Sequence, residues 1–270
     1  MKLLLVEARR ALHRRVVWTL LGLASAGIVV ASVVAFTDSA DLDLARLRAE
    51  GGLHPAVMTS WWVSGTADGA LAVVAIFLAV GGLLGGAAVV GGEWKAGTVG
   101  TVLTWEPRRV RLHAARLGAC GLLAWLLAFV LQAVFLAGFL PAVVAHGSSA
   151  GADAAWALAL VAAMARVATI AALAAVVGGA VATVGRGTAV ALGVVGGWLA
   201  VGESMVRGWR PGLARHLLSE NAGILLTWAD LDGESWSRPP AVSLAVLVAY
   251  GLIVVVLAGA WFSHRDVAAA

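Results

Sequence analysis

The sequence predicts an all-α polytopic membrane protein with six transmembrane helices, and three observations carry that expectation. The 270 residues are 61% hydrophobic and only 13% charged, with a mean hydropathy of +0.93, where soluble domains average about 45–50% apolar and about 25% charged. The apolar residues fall into blocks of the length a helix needs to cross a hydrocarbon core, roughly 20 residues for about 30 Å: Val16–Phe36, Gly69–Val90, Leu117–Leu140, Ala154–Val184, Thr188–Gly202 and Ala241–Phe262. These blocks are continuous rather than alternating, which excludes a transmembrane β-barrel. They occupy most of the chain, so residues 1–270 read as a single transmembrane domain.

The third observation is the placement of charge. With the N-terminus assigned to the cytoplasm, Lys2, Arg9, Arg10, Arg14, Arg15, Lys95, Arg108, Arg109, Arg111, Arg116, Arg186 and Arg265 fall inside. Only Arg46, Arg48, Arg207, Arg210, Arg215 and Arg238 fall outside. Asp38, Asp41, Asp43, Glu50 and Asp68 crowd the first outer loop. This positive-inside bias predicts a multi-pass protein with both termini in the cytoplasm. It also explains the sequence pI of about 10.2 by topology, so the expected partners include membrane lipids and no nucleic acid.

Taken in order, residues Met1–Arg15 place Leu4, Ala8, Ala11 and Leu12 on one helical face, with Arg9, Arg10 and Arg14 mostly elsewhere. This predicts an N-terminal amphipathic helix in the cytoplasmic interface; charges that only set orientation are compatible with it. The first span follows a basic leader, but its apolar stretch is longer than a signal-peptide core and no A-x-A site follows, so it is expected to be retained. The second span carries Gly81, Gly82, Gly85 and Gly86, a doubled small-xxx-small pattern. It suits close helix packing within the chain or a dimer seam, and packing within the chain is the favoured reading. The third span holds Cys120, the only cysteine, which excludes an intramolecular disulfide and a thiolate cluster.

The fourth block is longer than a bilayer requires, roughly 46 Å of helix, and contains Arg166. If the true span is about Val167–Val184, Arg166 snorkels at the outer interface. A mid-membrane charge is otherwise a functional candidate, so a substrate path and a structural ion pair both stay open for Arg166 and Glu203. The fifth block is short, carries Gly193, Gly196, Gly197 and Gly202, and meets Glu203, which predicts a helix that bends or stops in the outer leaflet. Beyond it, Leu213, Leu217, Ile224, Leu225 and Trp228 recur at helical spacing, predicting an outer amphipathic helix on the membrane surface. Pro239 and Pro240 open the last span, where a missing N–H costs little.

No catalytic constellation is visible. The only lysines, Lys2 and Lys95, follow Met1 and Trp94, so there is no P-loop lysine. The six histidines form no pair at metal-ligand spacing, and no G-x-S-x-G elbow occurs. His264-Arg265-Asp266 echoes a kinase triplet without any other kinase element, and Asn221 is followed by Ala222 and Gly223, which excludes glycosylation there. No metal site and no catalytic residue are expected.

The link Gly92–Arg116 is too long for a turn. Val99, Val102, Leu103 and Trp105 supply apolar side chains over about two helical turns, Pro107 ends the helix, and a basic cluster follows. Such a helix suits docking in a partner's groove; lying flat on lipid with arginines on phosphates is the other reading.

The run Glu93-x-x-x-Gly97-Thr98, then Leu103, Pro107 and a basic cluster, resembles the signature of ABC-2-type permeases, most closely the actinobacterial forms. Phe262-Ser263-His264-Arg265-Asp266-Val267 resembles their usual close after the sixth span. The six spans, inside termini and interrupted outer segment are similar too, so the likeness covers essentially the whole chain. Arg116 stands where that family often has a lysine. The resemblance implies a bacterial plasma-membrane exporter subunit that pairs with a second permease subunit, as a homo- or heterodimer. It also implies a separate ATPase (nucleotide-binding) subunit that holds ATP and Mg, with no cofactor on this chain. Glu93, Gly97, Thr98, Leu103, Trp105, Pro107, Arg108 and Arg109 would form the cytoplasmic coupling helix between spans 2 and 3. The expected cargo is hydrophobic or amphipathic. A non-transport interaction protein, such as an immunity or sensor subunit, and an intramembrane lipid-modifying enzyme are the competing expectations.

Overall fold

A computed structural model describes residues 2–63, 65–229 and 238–264; Arg265, Asp266 and Val267, and the side chains of Lys2 and Arg48, lie outside them. The described residues form helices and short loops, with one isolated β-bridge between Val57 and Ser148 and no strand. In order, the helices are α1 (Lys2–Leu12), α2 (Arg15–Asp38), α3 (Leu44–Ala49), α4 (Ala70–Lys95), α5 (Val99–Trp105) and α6 (Arg109–Ala137). They continue with α7 (Leu140–His146), α8 (Ala154–Gly185), α9 (Thr188–Gly197), α10 (Glu203–Trp209), α11 (Leu218–Thr227) and α12 (Pro240–His264). Six helical stretches are long and apolar enough to cross a membrane, and the protein is a multi-pass membrane protein. For orientation, the end of the bundle carrying α1 and α5 is called the basic end, and the opposite one the far end.

The spine of the bundle is the α4–α8 pair, whose close approach is set by glycine. Gly82 lies against the Ala171 carbonyl and Gly86 against the Ala175 carbonyl, so that a Cβ at either position would overlap backbone. Gly178 and Gly179 of α8 return the contact to Leu83 and to Val90 and Leu117. Residue numbers rise together along this seam, so the two helices run the same way, as second and fourth spans must. Of the four glycines in the sequence pattern, Gly82 and Gly86 serve packing within the chain, whereas Gly81 faces open space. In lipid this matters, because van der Waals packing replaces the hydrophobic drive between helices. Gln132 of α6 adds a polar tie, its fully buried amide donating to the Ala128 and Met164 carbonyls.

The spans differ from the sequence expectation at their ends. The third begins at Arg109 rather than Leu117, which carries Arg116 two turns into the helix. The fourth is unbroken over 32 residues, started by Asp153, whose Oδ1 accepts the Trp156 N–H at 2.8 Å, and ended by Arg186 in a left-handed conformation (φ 53°). The fifth does not stop at Gly202: α9 passes through a π-helical stretch, Trp198–Gly202, and continues as α10 to Trp209. The acidic residue that looked like a stop signal, Glu203, is buried and accepts backbone N–H groups, as described below.

The two amphipathic helices also have protein partners. In α1 the small face, Ala8 and Ala11, is buried, with α6 its main neighbour, while Leu5 and Val6 face outward. In α11, Ile224 and Leu225 are buried with α12 and α8 as neighbours, so part of the apolar set expected on the membrane surface, with Leu217, is covered by the protein itself, while Leu213 and Trp228 stay half exposed. At the far end the loop after α3 folds onto the helices: Trp61 meets the rings of Phe139 and Trp156, each centroid 6.3 Å away. Two hydrogen bonds flanking the β-bridge, Met58 N–H to Ser148 and Ser148 N–H to Ala56, fix that loop.

The glycine seam makes a direct prediction. Gly86→Val is expected to destabilise the protein by at least about 1–3 kcal/mol, the cost of overpacking a filled contact, whereas Gly81→Val changes little. Thermal unfolding of the purified variants in detergent separates the two; equal melting temperatures would remove the seam from its central role.

Candidate functional site

At the basic end, α4 stops at Lys95 because Gly97 turns the chain with φ +66°. The Glu93 carbonyl accepts the Thr98 N–H at 3.1 Å and the Thr98 hydroxyl at 3.4 Å, so the start of α5 hangs from the last turn of α4. The short helix then presents two sides. Val99 is buried, and Val102 and Leu103 are half-buried, while Trp105 is 87% exposed. Beyond it, Glu106 organises the turn: Oε1 accepts the Arg108 N–H at 3.3 Å and Oε2 pairs with Arg111 at 3.3 Å. Gly97, Thr98, Pro107 and Arg108 are exposed, and Arg109 reaches the Phe262 carbonyl at 3.5 Å. The indole thus stands open at the last residue of α5, between the exposed Lys95 before the helix and the exposed Arg108 and Arg111 after it in sequence.

Glu93, grouped with these residues by the sequence, has a side chain that is only 2% exposed and points into the bundle. One carboxylate oxygen, Oε1, pairs with Arg14 and lies 3.6 Å from Arg10. The other, Oε2, lies 2.7 Å from Arg116 Nη2, a charge contact without an aligned hydrogen bond. Arg116 in turn reaches Glu7 Oε2 at 3.4 Å through Nε, and Glu7 Oε1 accepts from Arg10 Nη1 at 2.8 Å. The result is a closed network of two carboxylates and three guanidinium groups joining α1, α4 and α6, with Glu7, Glu93 and Arg116 all buried. Charges so far from water need one another, because breaking a buried pair leaves an uncompensated ion.

The sequence reading missed Glu7, although a signal was present. It is the one acid on α1, and it stands at the i+3 position from Leu4 and one turn before Ala11, on the otherwise apolar face. An acid in that stripe has to meet a cation wherever the stripe is buried. Arg10 and Arg14 follow it at three- and four-residue steps and complete the cluster.

The second pair of candidates lies elsewhere. The glycine register puts Arg166 level with Phe77, about 10 Å inside the first residue of α4. Its guanidinium sits between two indoles, 5.3 Å from the Trp62 centroid and 5.1 Å from that of Trp228. Each such contact contributes about 0.5–2 kcal/mol, more where water is excluded. Glu203 does not pair with Arg166. Its buried carboxylate accepts the Leu218 N–H at 2.7 Å and the Ser219 N–H at 3.2 Å, capping α11 from 15 residues away. The two residues therefore hold opposite ends of α11: Glu203 its start, and Arg166, through Trp228, its end. Among the described residues, no group of three or more His, Cys, Asp or Glu side chains is arranged to hold a metal.

These arrangements separate by substitution. Glu93→Gln is expected to lower unfolding stability by about 3–5 kcal/mol, since Arg14 and Arg116 lose their shared counter-ion. Trp105→Ala should stay within about 0.5 kcal/mol of the parent, as for an exposed surface position. Chemical or thermal denaturation of both variants in the same detergent reads the difference directly, and a destabilised Trp105 variant would contradict its free presentation.

No protein-family model matches the chain, and no curated protein sequence matches it either.

Proposed function

We propose that the chain is the membrane-spanning permease subunit of an ABC-2-type exporter, moving a hydrophobic or amphipathic substrate outward with ATP hydrolysed by a separate nucleotide-binding subunit. The observation that carries the reading is α5: a tethered two-turn helix, between the second and third spans, that presents Trp105 to the surroundings while its other side is fixed to the bundle. In this reading the basic end faces the cytoplasm of a bacterial cell, in keeping with the arginine bias. The ATPase covers Trp105, Leu103 and the exposed turn at Pro107 and Arg108, and a second permease subunit pairs with this one in the membrane.

The division of labour within the link follows from its geometry. Trp105 and its neighbours touch the ATPase; Glu93 does not, and acts as the joint behind them. A displacement of α5 pulls on the Glu93 backbone carbonyl through Thr98, and the Glu93 side chain is ion-paired to α1 and α6. Movement of α5 thus reaches three helices at once. Export then needs no chemistry on this chain's own residues, only the passage of that movement into the spans.

The test is affinity isolation of the tagged chain from its native membranes, with bound proteins identified and assayed for ATP hydrolysis. A Walker-motif ATPase is expected to accompany it. Trp105→Ala should weaken that association at least about tenfold, the loss of one central aromatic anchor. Persistent absence of an ATPase, or full retention by the Trp105 variant, would refute the docking assignment.

A further inference from the structure

Arg166 stands in an unusual setting for a charge. None of the described carboxylates forms an ion pair with it, and its buried Nε has no hydrogen-bond partner among the described residues. A guanidinium offers five N–H donors and no acceptor, and two indole faces stabilise its charge without accepting any of those donors in the plane of the fork. No hydrogen bond from the fork to another described residue is formed.

The surroundings are built rather than incidental. Trp62 is buried in the loop after α3, Arg166 comes from α8, and Trp228 comes from the end of α11, so three distant parts of the chain converge on one cation. Trp228 holds a left-handed backbone conformation, φ 55°, which a bulky residue adopts only where its surroundings require it. Glu203 secures the other end of the same helix. Gly251 of α12 rests on Leu173 of α8; the fourth and sixth spans run the same way, and this register brings Ser243 to the turn that carries Arg166. Ser243 is fully buried and its hydroxyl has no hydrogen-bond partner among the described residues. Trp228 is half exposed, leaving one side of the stack open to the leaflet at the far end of the bundle.

An aromatic pair around a vacancy would select a cation, but here the cation is supplied by the protein. What complements it is an oxyanion, and a depth of about 10 Å inside the first residue of α4 suits a group carried by an apolar chain. We propose that the Trp62–Arg166–Trp228 stack is a binding site for the phosphate headgroup of an amphiphile in the far-end leaflet. Arg166 donates to the phosphate oxygens, the indoles fix the plane of its fork, and the alkyl chain lies along the apolar surface of the bundle. The site is independent of the ATPase-docking reading, since it lies at the opposite end and requires no partner protein.

The experiment is native mass spectrometry of the full-length chain in dodecyl maltoside, titrated separately with dodecyl phosphate, inorganic phosphate and dodecyltrimethylammonium. One tightly retained dodecyl phosphate per chain is expected, with retention at least tenfold weaker in Arg166→Gln. Arg166→Lys should fall between, because it keeps the charge and loses the planar fork. Arg207→Gln removes an exposed cation paired with Glu220 near the same end and should bind as the parent does. Trp228→Leu leaves Arg166 in place and should also weaken retention, so it decides the matter should Arg166→Gln fail to fold. Undiminished retention in the folded Arg166 variant, or in Trp228→Leu, would overturn the proposal. Equal retention of the ammonium amphiphile would show that only the alkyl chain is read, and inorganic phosphate binding as tightly as dodecyl phosphate would show a free-ion site; either result rejects an amphiphile headgroup site.

Discussion

Apolar helices gain nothing by leaving lipid for one another, so a bundle in a bilayer has to be held by close backbone approach and by polar groups that lipid cannot satisfy. Both devices operate here, at different depths. In the middle, Gly82 and Gly86 let α4 meet the carbonyls of α8 directly. At the basic end, where the glycine seam finishes, Glu93 takes over, gathering Arg14 from the junction of α1 and α2 and Arg116 from α6 into one ion cluster. Glu93 thus ties α1 and α6 through its carboxylate and the start of α5 through its backbone carbonyl.

The two ends of the molecule solve the same electrostatic problem differently. At the basic end, three guanidinium groups share two carboxylates, and every charge has an opposite charge in contact. At the far end, a buried carboxylate is satisfied by backbone N–H groups alone and a guanidinium by aromatic faces. The first arrangement locks helices together; the second positions one short helix and leaves a cation with no carboxylate partner among the described residues. In the proposed reading, the rigid joint lies on the side that receives the ATPase's movement and the cation on the side that meets an anionic headgroup.

The spans were legible because hydropathy over 20 residues is a local property, and each block became a helix close to the expected bounds. What was not legible depended on partners far along the chain. Glu203 reads locally as the end of an apolar run, and only the N–H groups of Leu218 and Ser219 make its burial possible. Arg166 could be recognised as out of place, but not that Trp62, more than 100 residues earlier, would cover it. The link after the second span was singled out by its odd composition. Which of its residues face outward and which inward was hidden, because Glu93 and Trp105 differ in role only through Arg14 and Arg116, on other helices. Glu7 is the exception: its place in the apolar stripe of α1 was readable without any partner in view.

The ion cluster also imposes an order on synthesis. Glu7 and Arg116 are separated by 109 positions, and at about 5–20 residues per second the ribosome needs on the order of ten seconds to cover that interval. Through that time α1 has emerged with its acid and its arginines while the third span has not. The nascent helix must therefore wait at the water interface, where those charges are hydrated, and can seat itself only after two further spans have been made. The helix that carries Glu7 is thus translated well before the partner that fixes its place.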